Sequence, residues 1–210
     1  MARDATAFFE IKMNNDLKKI VFATSNPNKI REVNEMLDGE FEIIGLKDIG
    51  CHEEVPETQP TIEGNALQKA RYVSGNYNVN CFSEDTGLEI EALNMEPGVM
   101  TARYAGPQRD ANDNMDLVLE KLKSEENRNA RFKTVIALTI DGEEFTFEGI
   151  VNGQIADKKT GEGGFGYDPI FLPEGSERSF AEFSKTEKNE ISHRGRAVRK
   201  LIKFLKEGGR

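Results

Sequence analysis

Apolar and polar positions follow two patterns along the chain, and the two patterns alternate. Short apolar runs rich in β-branched residues are typical of buried strands, whereas apolar positions that recur every three or four residues are typical of helices. In the first part of the chain these patterns predict strands over 19–24, 41–46 and 80–83 and helices over 26–37 and 61–77. The opening of the chain is therefore predicted to be β-α-β-α-β.

The pattern changes in the second half, where two long strands follow each other directly. The predicted elements there are a helix over 112–123, strands over 131–140 and 143–150, and a last helix from about Ser192 to Gly208. Asp141-Gly142 between the two strands is a strong hairpin signal. We therefore expect an α/β protein with a mixed sheet and flanking helices. Because no linker or repeat is visible, residues 17–210 are predicted to form one domain, preceded by an extension over 1–16.

The composition fits a packed protein with an acidic surface. Of the 210 residues, 37% are hydrophobic, and acidic residues outnumber basic ones 37 to 28, for a net charge of −9. No overall positive field attracts a polyanion, so we expect no nucleic-acid partner. A small anion would have to bind in a local pocket where a few cations converge.

Cysteines, histidines and apolar runs set further limits. Cys51 and Cys81 form no Cys-x-x-Cys pair, and the two histidines are too few for a histidine-rich zinc centre. A bound metal would therefore be a hard cation on carboxylates. The sequence has no signal-peptide pattern and no apolar run of about 18 residues. We expect a cytoplasmic protein with reduced thiols and no membrane association.

Two segments place cations in the first turn of a predicted helix, where the helix dipole makes them unfavourable. The segments are 24–29, with Lys29, and 191–196, with His193 and Arg194. An anion at the helix N-terminus reverses the sign of this interaction, so a phosphate beside Lys29 and a ligand oxygen beside Arg194 explain both segments. The alternatives are a solvated lysine after an ordinary capped turn and ion pairs with some of the many acidic residues.

Acidic residues cluster after the third predicted strand. Glu84 and Asp85 directly follow 80–83, and Glu57 precedes the second predicted helix. Open α/β sheets place their sites at strand ends, and carboxylates with open water positions suit Mg²⁺. The alternative is a capping aspartate in a turn before a glycine. The Asp-Thr-Gly triplet at 85–87 does not by itself indicate an aspartic protease, whose mechanism needs a pair of such motifs.

The glycine-rich run 161–168 has the glycine spacing of a dinucleotide-binding loop but the wrong context for one. It leads into Asp168-Pro169, whereas a dinucleotide loop follows a strand and opens a helix. We interpret it as a loop in which Phe165 stacks on a flat ring and Asp168 forms hydrogen bonds with that ring. The alternative is a tight turn with Phe165 in the core.

Taken together, five segments of the chain resemble one family, the inosine triphosphate pyrophosphatases. The segments occur in that family's order and spacing, within about 18–206: TSNPNK at 24–29, SEDTGLEIEAL at 83–93, PGVMTARYAG at 97–106, GGFGYDPIF at 163–171 and EKNEISHRGRA at 187–197. The resemblance implies Mg²⁺-dependent hydrolysis of ITP, dITP and XTP to the monophosphate and pyrophosphate, which cleans the nucleotide pool. It also implies a homodimer whose α/β subunit has two lobes around a central cleft.

The resemblance also implies roles for residues at matching positions. Asp85 would be the general base and would hold the metal together with Glu57. The substrate-binding residues would comprise a phosphate set and a base set with their neighbours: Thr24, Ser25, Asn26, Pro27, Asn28, Lys29 and Thr86, then Phe165, Gly166, Tyr167, Asp168, Lys188, His193 and Arg194. As a donor to the C6 oxygen, Arg194 would accept inosine and reject adenosine, which carries an amine there.

Several positions depart from the residues usual in that family. The replacements are Glu84 for Asp, Thr86 for Ser, Ile62 for Phe, Gly64 for Glu, and Met100-Thr101 for Tyr-Ser. Gly64 matters most, because it removes an accessory carboxylate near the metal and puts the number of metal ligands in doubt. Two alternatives remain open. One is a related Maf-like pyrophosphatase for other bases, which the segment 187–197 disfavours, and the other is a nucleotide-binding module without catalysis.

Overall fold

The computed structural model describes residues 18–37 and 41–208, so the predicted extension over 1–16 lies outside the described residues. Its strands are β1 (Lys18–Phe22), β2 (Phe41–Ile44), β3 (Cys81–Ile90), β4 (Asn129–Ile140), β5 (Glu143–Ile155) and β6 (Phe171–Pro173). They form one sheet in the order β2-β1-β3-β4-β5-β6. β1 is parallel to β2 and β3, and the remaining pairs are antiparallel. The predicted mixed sheet is confirmed.

Helices flank this sheet, as predicted. In the described ranges they are α1 (Pro27–Met36), α2 (Ile62–Tyr77), α3 (Ala111–Lys121), α4 (Lys185–Ile191) and α5 (His193–Lys206). The Ser192 hydroxyl caps α5 by accepting a hydrogen bond from the Gly195 N–H at 3.0 Å, which agrees with the predicted start of this helix. None of these helices is long and apolar enough to cross a membrane.

Two short elements, α4 and β6, are absent from the sequence prediction. They have seven and three residues, and periodicity is not visible over so few positions. A capping box formed by Ser184 and Glu187 marks the start of α4. This Ser-x-x-Glu spacing is a local signal that the hydrophobic pattern does not contain.

The buried side chains divide into separate clusters. One joins Leu88 of β3 and Phe132 of β4 with Phe171 of β6. Another lies between β1, α1 and α5, where the rings of Phe22 and Phe82 stack with centroids 4.4 Å apart. That the subunit has two lobes around a central cleft stays a prediction. That residues 17–210 form a single domain stays a prediction.

β3 is longer than predicted, and its length changes the place of the acidic residues. The prediction that Glu84 and Asp85 follow the end of this strand is wrong, because both lie within β3 and pair with Ile136 and Val135 of β4. The reason is that β4 continues alongside β3 after β1 has ended, since β1 pairs with β3 only as far as Phe82. The two carboxylates therefore lie at the carboxyl end of the parallel part of the sheet.

The β4–β5 hairpin forms where it was predicted. Asp141 and Gly142 have φ values of 51° and 83°, as a two-residue hairpin turn requires. The edge of β5 beyond β6 is covered by α5, where Arg196 and Lys200 donate to the carbonyls of Ile150 and Glu148, each at 2.7 Å. These hydrogen bonds satisfy strand carbonyls that would otherwise be open to another chain.

Candidate active site

A cavity of about 640 Å³ adjoins the loop between β1 and α1. Its wall includes the predicted residues Thr24, Ser25, Lys29 and Glu57, and also Glu84. Thr24 and Ser25 belong to the short loop after β1, and Lys29 lies in the first turn of α1. The structure therefore brings predicted phosphate-binding residues and a predicted metal ligand to one cavity, which we call the phosphate cavity.

Two carboxylates converge on a buried lysine in the wall of the phosphate cavity. Lys69 Nζ lies 2.5 Å from Glu57 Oε1 and 3.1 Å from Asp85 Oδ1. Burial alone would lower the pKa of Lys69, but the charges of Asp85 and Glu57 outweigh it and raise that pKa. Lys69 is therefore an ammonium ion at neutral pH.

The pKa values of the two carboxyl groups shift in opposite directions. Burial raises the pKa of Asp85, and the charge of Glu57 adds to this effect while Lys69 opposes it. Burial also acts on Glu57, but there Lys69 outweighs it and the pKa is lowered. The pKa of Asp85 therefore lies above its ordinary value, and a carboxylate with a raised pKa is better matched to accepting a proton near neutral pH.

Lys69 is a site residue that the sequence analysis did not identify. It lies on the buried face of α2, at helical spacing from Ala66 and Val73. From the same face, Asn65 places its Nδ2 atom 3.4 Å from Asp85 Oδ2. Lys69 and Asn65 thus orient the two oxygens of Asp85. A lysine on the apolar face of a predicted helix was the signal available in the sequence.

Glu57 and Asp85 suit a divalent cation. They are hard oxygen donors, and their convergence on one ammonium shows that their oxygens reach one small region. Within 18–37 and 41–208, no group of three or more His, Cys, Asp and Glu side chains could hold a metal. Mg²⁺ is commonly bound by one or two carboxylates, with substrate phosphates and water as its other ligands. Two carboxylates are within the number that such a site needs from the protein, and that Glu57 and Asp85 bind the ion stays a prediction.

Gly64 provides no further ligand, and its surroundings explain why a larger residue does not fit. A Cβ atom at this position would lie 2.8 Å from Gln59 Cβ and 2.9 Å from Thr61 Oγ1. The Thr61 hydroxyl accepts a hydrogen bond from the Gly64 N–H at 2.9 Å and caps α2. A side chain at position 64 would therefore displace this capping turn.

Glu84 connects Lys29 with Arg194. Its side chain is 2% exposed and places Oε1 2.8 Å from Lys29 Nζ. Arg194 Nε lies 3.1 and 3.0 Å from its two oxygens. Burial alone would raise the pKa of Glu84, but Arg194 and Lys29 outweigh it and hold that pKa well below its usual range. The ion pairs considered for these cations are thus present, and their predicted contacts with substrate stay predictions.

The glycine-rich loop and α4 form a second part of the site. Phe165 is 76% exposed, so the alternative that placed it in the core is wrong. Asp168 is buried and accepts hydrogen bonds from the Phe165 N–H and from Lys188 Nζ. Gly164 permits this close turn, because it has a φ of 85° and a Cβ there would collide with the Asp168 side chain. The loop therefore presents an exposed ring beside a fixed carboxylate.

His193 begins α5 and contributes a buried, neutral imidazole. Its ring stacks on that of Phe132 with centroids 4.6 Å apart. Burial, together with the charges of Arg194 and Lys188, lowers the pKa of His193 well below 6.5. Its Nδ1 atom has no hydrogen-bond partner in the described part of the chain. An unsatisfied buried polar atom costs about 1–3 kcal/mol, which a hydrogen bond with a ligand would offset.

Two other predicted residues, Tyr167 and Thr86, form contacts within the fold. The Tyr167 hydroxyl donates to the Thr101 carbonyl at 2.8 Å, and the hydroxyls of Thr86 and Thr134 are 2.7 Å apart. These contacts use both side chains within the fold. The remaining predicted positions lie at the start of α1 and in the glycine-rich loop: Asn26, Pro27, Asn28 and Gly166. Their contacts with substrate stay predictions.

Known proteins are similar to this chain in sequence and in fold. Residues 20–204 match the model of the Ham1 family. The dITP/XTP pyrophosphatase of Flavobacterium psychrophilum is 55% identical over 188 residues, covering 90% of this chain and 99% of that protein. The dITP/XTP pyrophosphatase of Porphyromonas gingivalis is 50% identical over 190 residues, covering 90% and 98%. The solved structure of the Staphylococcus aureus Ham1 protein matches with a TM-score of 0.86 and 38% identity, covering 91% of this chain and 100% of that chain.

Proposed function

This chain belongs to the Ham1 family, and from that premise we propose that it hydrolyses ITP, dITP and XTP to the monophosphate and pyrophosphate. Such a reaction removes deaminated purines from the nucleotide pool. The observation that carries the proposal is the position of Asp85, which Lys69 and Asn65 orient beside the cavity that Lys29 lines. The relatives named dITP/XTP pyrophosphatase support the class of substrate.

The chemistry needs neutralised phosphate charge and a deprotonated water. Lys29 would bind the triphosphate electrostatically at the start of α1. Asp85 would accept a proton from the attacking water as the water oxygen bonds to phosphorus. The bond between the α- and β-phosphoryl groups then breaks, and pyrophosphate leaves with the electron pair. Lys69 would keep Asp85 ionised and oriented for the next turnover.

We also infer that Glu57 and Asp85 hold Mg²⁺ during the reaction. When bound, the ion would supply positive charge to the phosphate oxygens. Two converging carboxylates support this inference. Treatment with EDTA should abolish turnover, and added MgCl₂ should restore it. Full turnover in EDTA would contradict the inference.

Base selection would come from the second part of the site. Phe165 would stack on the purine, and Arg194, held at Nε by Glu84, would donate to the C6 oxygen. Adenosine places an amine at C6, so that a donor would face a donor and the contact would be lost. His193 Nδ1 offers a further buried hydrogen-bonding atom.

We infer that the active form is a cytoplasmic homodimer. Met95 and Met100 are 44% and 42% exposed, and an interface between two copies would cover them. Cys51 and Cys81 are buried free thiols, as expected in a reducing compartment. Light scattering should give the mass of two chains, and Met100→Glu should shift the protein toward one. A monomeric wild type would contradict the inference.

A panel of nucleotides tests the proposed activity. Pyrophosphate release should be measured with ITP, XTP, dITP, GTP, ATP and TTP in the presence of Mg²⁺. We expect the first three to exceed the others in kcat/KM by about tenfold or more. Preference for a different base would favour a Maf-like activity, and binding of ITP without pyrophosphate release would favour a nucleotide-binding module.

A further inference from the structure

The phosphate cavity contains cations beyond the two already described. Arg103 and Arg109 line it together with Lys29 and Lys69. Arg103 is the last residue of the 3₁₀ helix Gly98–Arg103, which follows β3. It belongs to the segment 97–106 that carries part of the family resemblance, and the proposed function gives it no role.

Arg103 differs from the other three cations in its partners. Lys29 pairs with Glu84 at 2.8 Å, and Lys69 pairs with Glu57 and Asp85. Arg109 is exposed, with Nη2 4.0 Å from Glu54 Oε1. Arg103 is half-buried, and its guanidinium forms no hydrogen bond and no ion pair with another described residue.

The charge of Arg103 acts on Glu57 and lowers the pKa of that carboxyl group, but no described carboxylate accepts a hydrogen bond from its guanidinium. Partial burial removes water from the guanidinium without replacing the lost hydrogen bonds, which is unfavourable for a charged group. A ligand with several anionic oxygens would supply those hydrogen bonds. Among the groups in the proposed reaction, the pyrophosphate portion of the triphosphate has the largest number of such oxygens.

We propose that Arg103 binds the pyrophosphate group, first as the β- and γ-phosphates of the substrate and then as the leaving product. A planar guanidinium donates two parallel hydrogen bonds to one phosphate, which a lysine cannot do. When the bond between the α- and β-phosphoryl groups breaks, the electron pair stays on the pyrophosphate oxygen. Arg103 stabilises that charge while Asp85 holds the proton from water. This inference rests on the proposed function.

The test is binding of inorganic pyrophosphate, measured by calorimetry in a buffer with Mg²⁺. Arg103→Gln should weaken pyrophosphate binding by about tenfold to a hundredfold, as expected for loss of hydrogen bonds to a charged group. It should leave IMP affinity within about twofold, because IMP lacks the leaving group. Arg103→Lys should retain part of the affinity, since it keeps the charge but loses the paired hydrogen bonds. Without ligand, Arg103→Gln and Arg103→Lys should both melt at about the wild-type temperature, because neither variant loses a hydrogen bond or an ion pair with a described residue.

Arg109→Gln is the matched control, because it removes the same charge from an exposed position on the same wall. It should change pyrophosphate affinity by about twofold or less. The inference is overturned if the wild type does not bind pyrophosphate, if Arg103→Gln binds it as tightly as the wild type, or if the two variants lose equal affinity. It is also overturned if Arg103→Gln loses IMP and pyrophosphate affinity equally.

These results separate the inference from the proposed function. A wild type that hydrolyses ITP, with unchanged pyrophosphate affinity in Arg103→Gln, would uphold the function and overturn the role of Arg103. A wild type that binds pyrophosphate through Arg103 but releases none from any triphosphate would overturn the function and uphold the site.

Discussion

Replacing Glu84 by glutamine should destabilise the protein substantially, because two cations pair with this buried carboxylate. Lys29 and Arg194 have side chains that are 27% and 24% exposed, against 2% for Glu84. Removing one charge of a buried pair costs about 3–5 kcal/mol, since the partner is left uncompensated. Both cations can regain water, so we expect about 3 kcal/mol, the lower end of that range. At about 2–4 °C per kcal/mol for a protein of this size, the melting temperature should fall by about 6–12 °C.

The assay is thermal unfolding at neutral pH without ligand, followed by circular dichroism. Glu144→Gln is the control, because Glu144 accepts two hydrogen bonds from Arg71, at 2.6 and 2.7 Å, on the exposed surface. Such a pair contributes about 0–1 kcal/mol. Equal losses in the two variants would refute the argument that the buried position of Glu84 makes its ion pairs strong.

The pH dependence gives a second readout of Glu84. Its folded pKa lies below the ordinary value of 4.5, so its contribution is present above that pH and is lost as the pH falls through the folded pKa. The difference in stability between the wild type and Glu84→Gln should therefore be constant from pH 6 to 8 and shrink in acid. A difference that instead grew as the pH fell would contradict this sign.

Asp85→Asn should remain folded and should lower kcat by about 10²–10⁴-fold, as expected for loss of a general base. If the variant kept more than about a tenth of the wild-type rate, Asp85 would not be the general base. Burial raises the pKa of Asp85 above 3.8, so the wild-type rate should begin to fall on acidification while the pH is still above 3.8. A rate that stayed constant down to pH 4 would contradict this prediction. Arg194→Ala should lower kcat/KM for ITP about tenfold more than kcat/KM for ATP. Phe165→Ala should lower kcat/KM for the two nucleotides equally. If Arg194→Ala lowered kcat/KM for ITP and ATP by the same factor, Arg194 would bind the phosphates or support the fold. Burial lowers the pKa of His193 well below 6.5, so this residue binds fewer protons in the folded state than in the unfolded state. The free energy of unfolding should therefore rise with pH up to about 6.5. His193→Gln should flatten that rise, and an unchanged slope in the variant would contradict the prediction.

Sequence periodicity predicted the elements that it can specify locally. The first strands, α2, the β4–β5 hairpin and the last helix follow from apolar spacing, caps and turn residues. The length of β3 does not follow from local pattern, because its continuation depends on pairing with β4, tens of residues later in the chain. Segments as short as β6 acquire their structure from neighbouring elements, since three residues carry no period.

The candidate site was predictable where polar residues interrupt the pattern at element ends. The place of Lys29 and Arg194 at helix N-termini predicts contacts with an anion or a ligand oxygen. The sequence could not show that Glu84 pairs with both cations. Lys69 resembles an ordinary helical lysine in sequence, and its role depends on the tertiary packing that brings Glu57 and Asp85 to it. Pairwise contacts between distant segments are therefore the part that the residue pattern leaves open.

Phosphorus NMR of the products formed from ITP is the most direct test of the proposed reaction. Purified protein would be incubated with ITP and Mg²⁺, with no other phosphatase present, and the spectrum followed to completion beside a parallel sample with ATP. Cleavage between the α- and β-phosphoryl groups predicts IMP and pyrophosphate in equal amounts, with ATP left largely intact. Formation of IDP and orthophosphate, or consumption of ATP at the same rate as ITP, would contradict the proposed reaction.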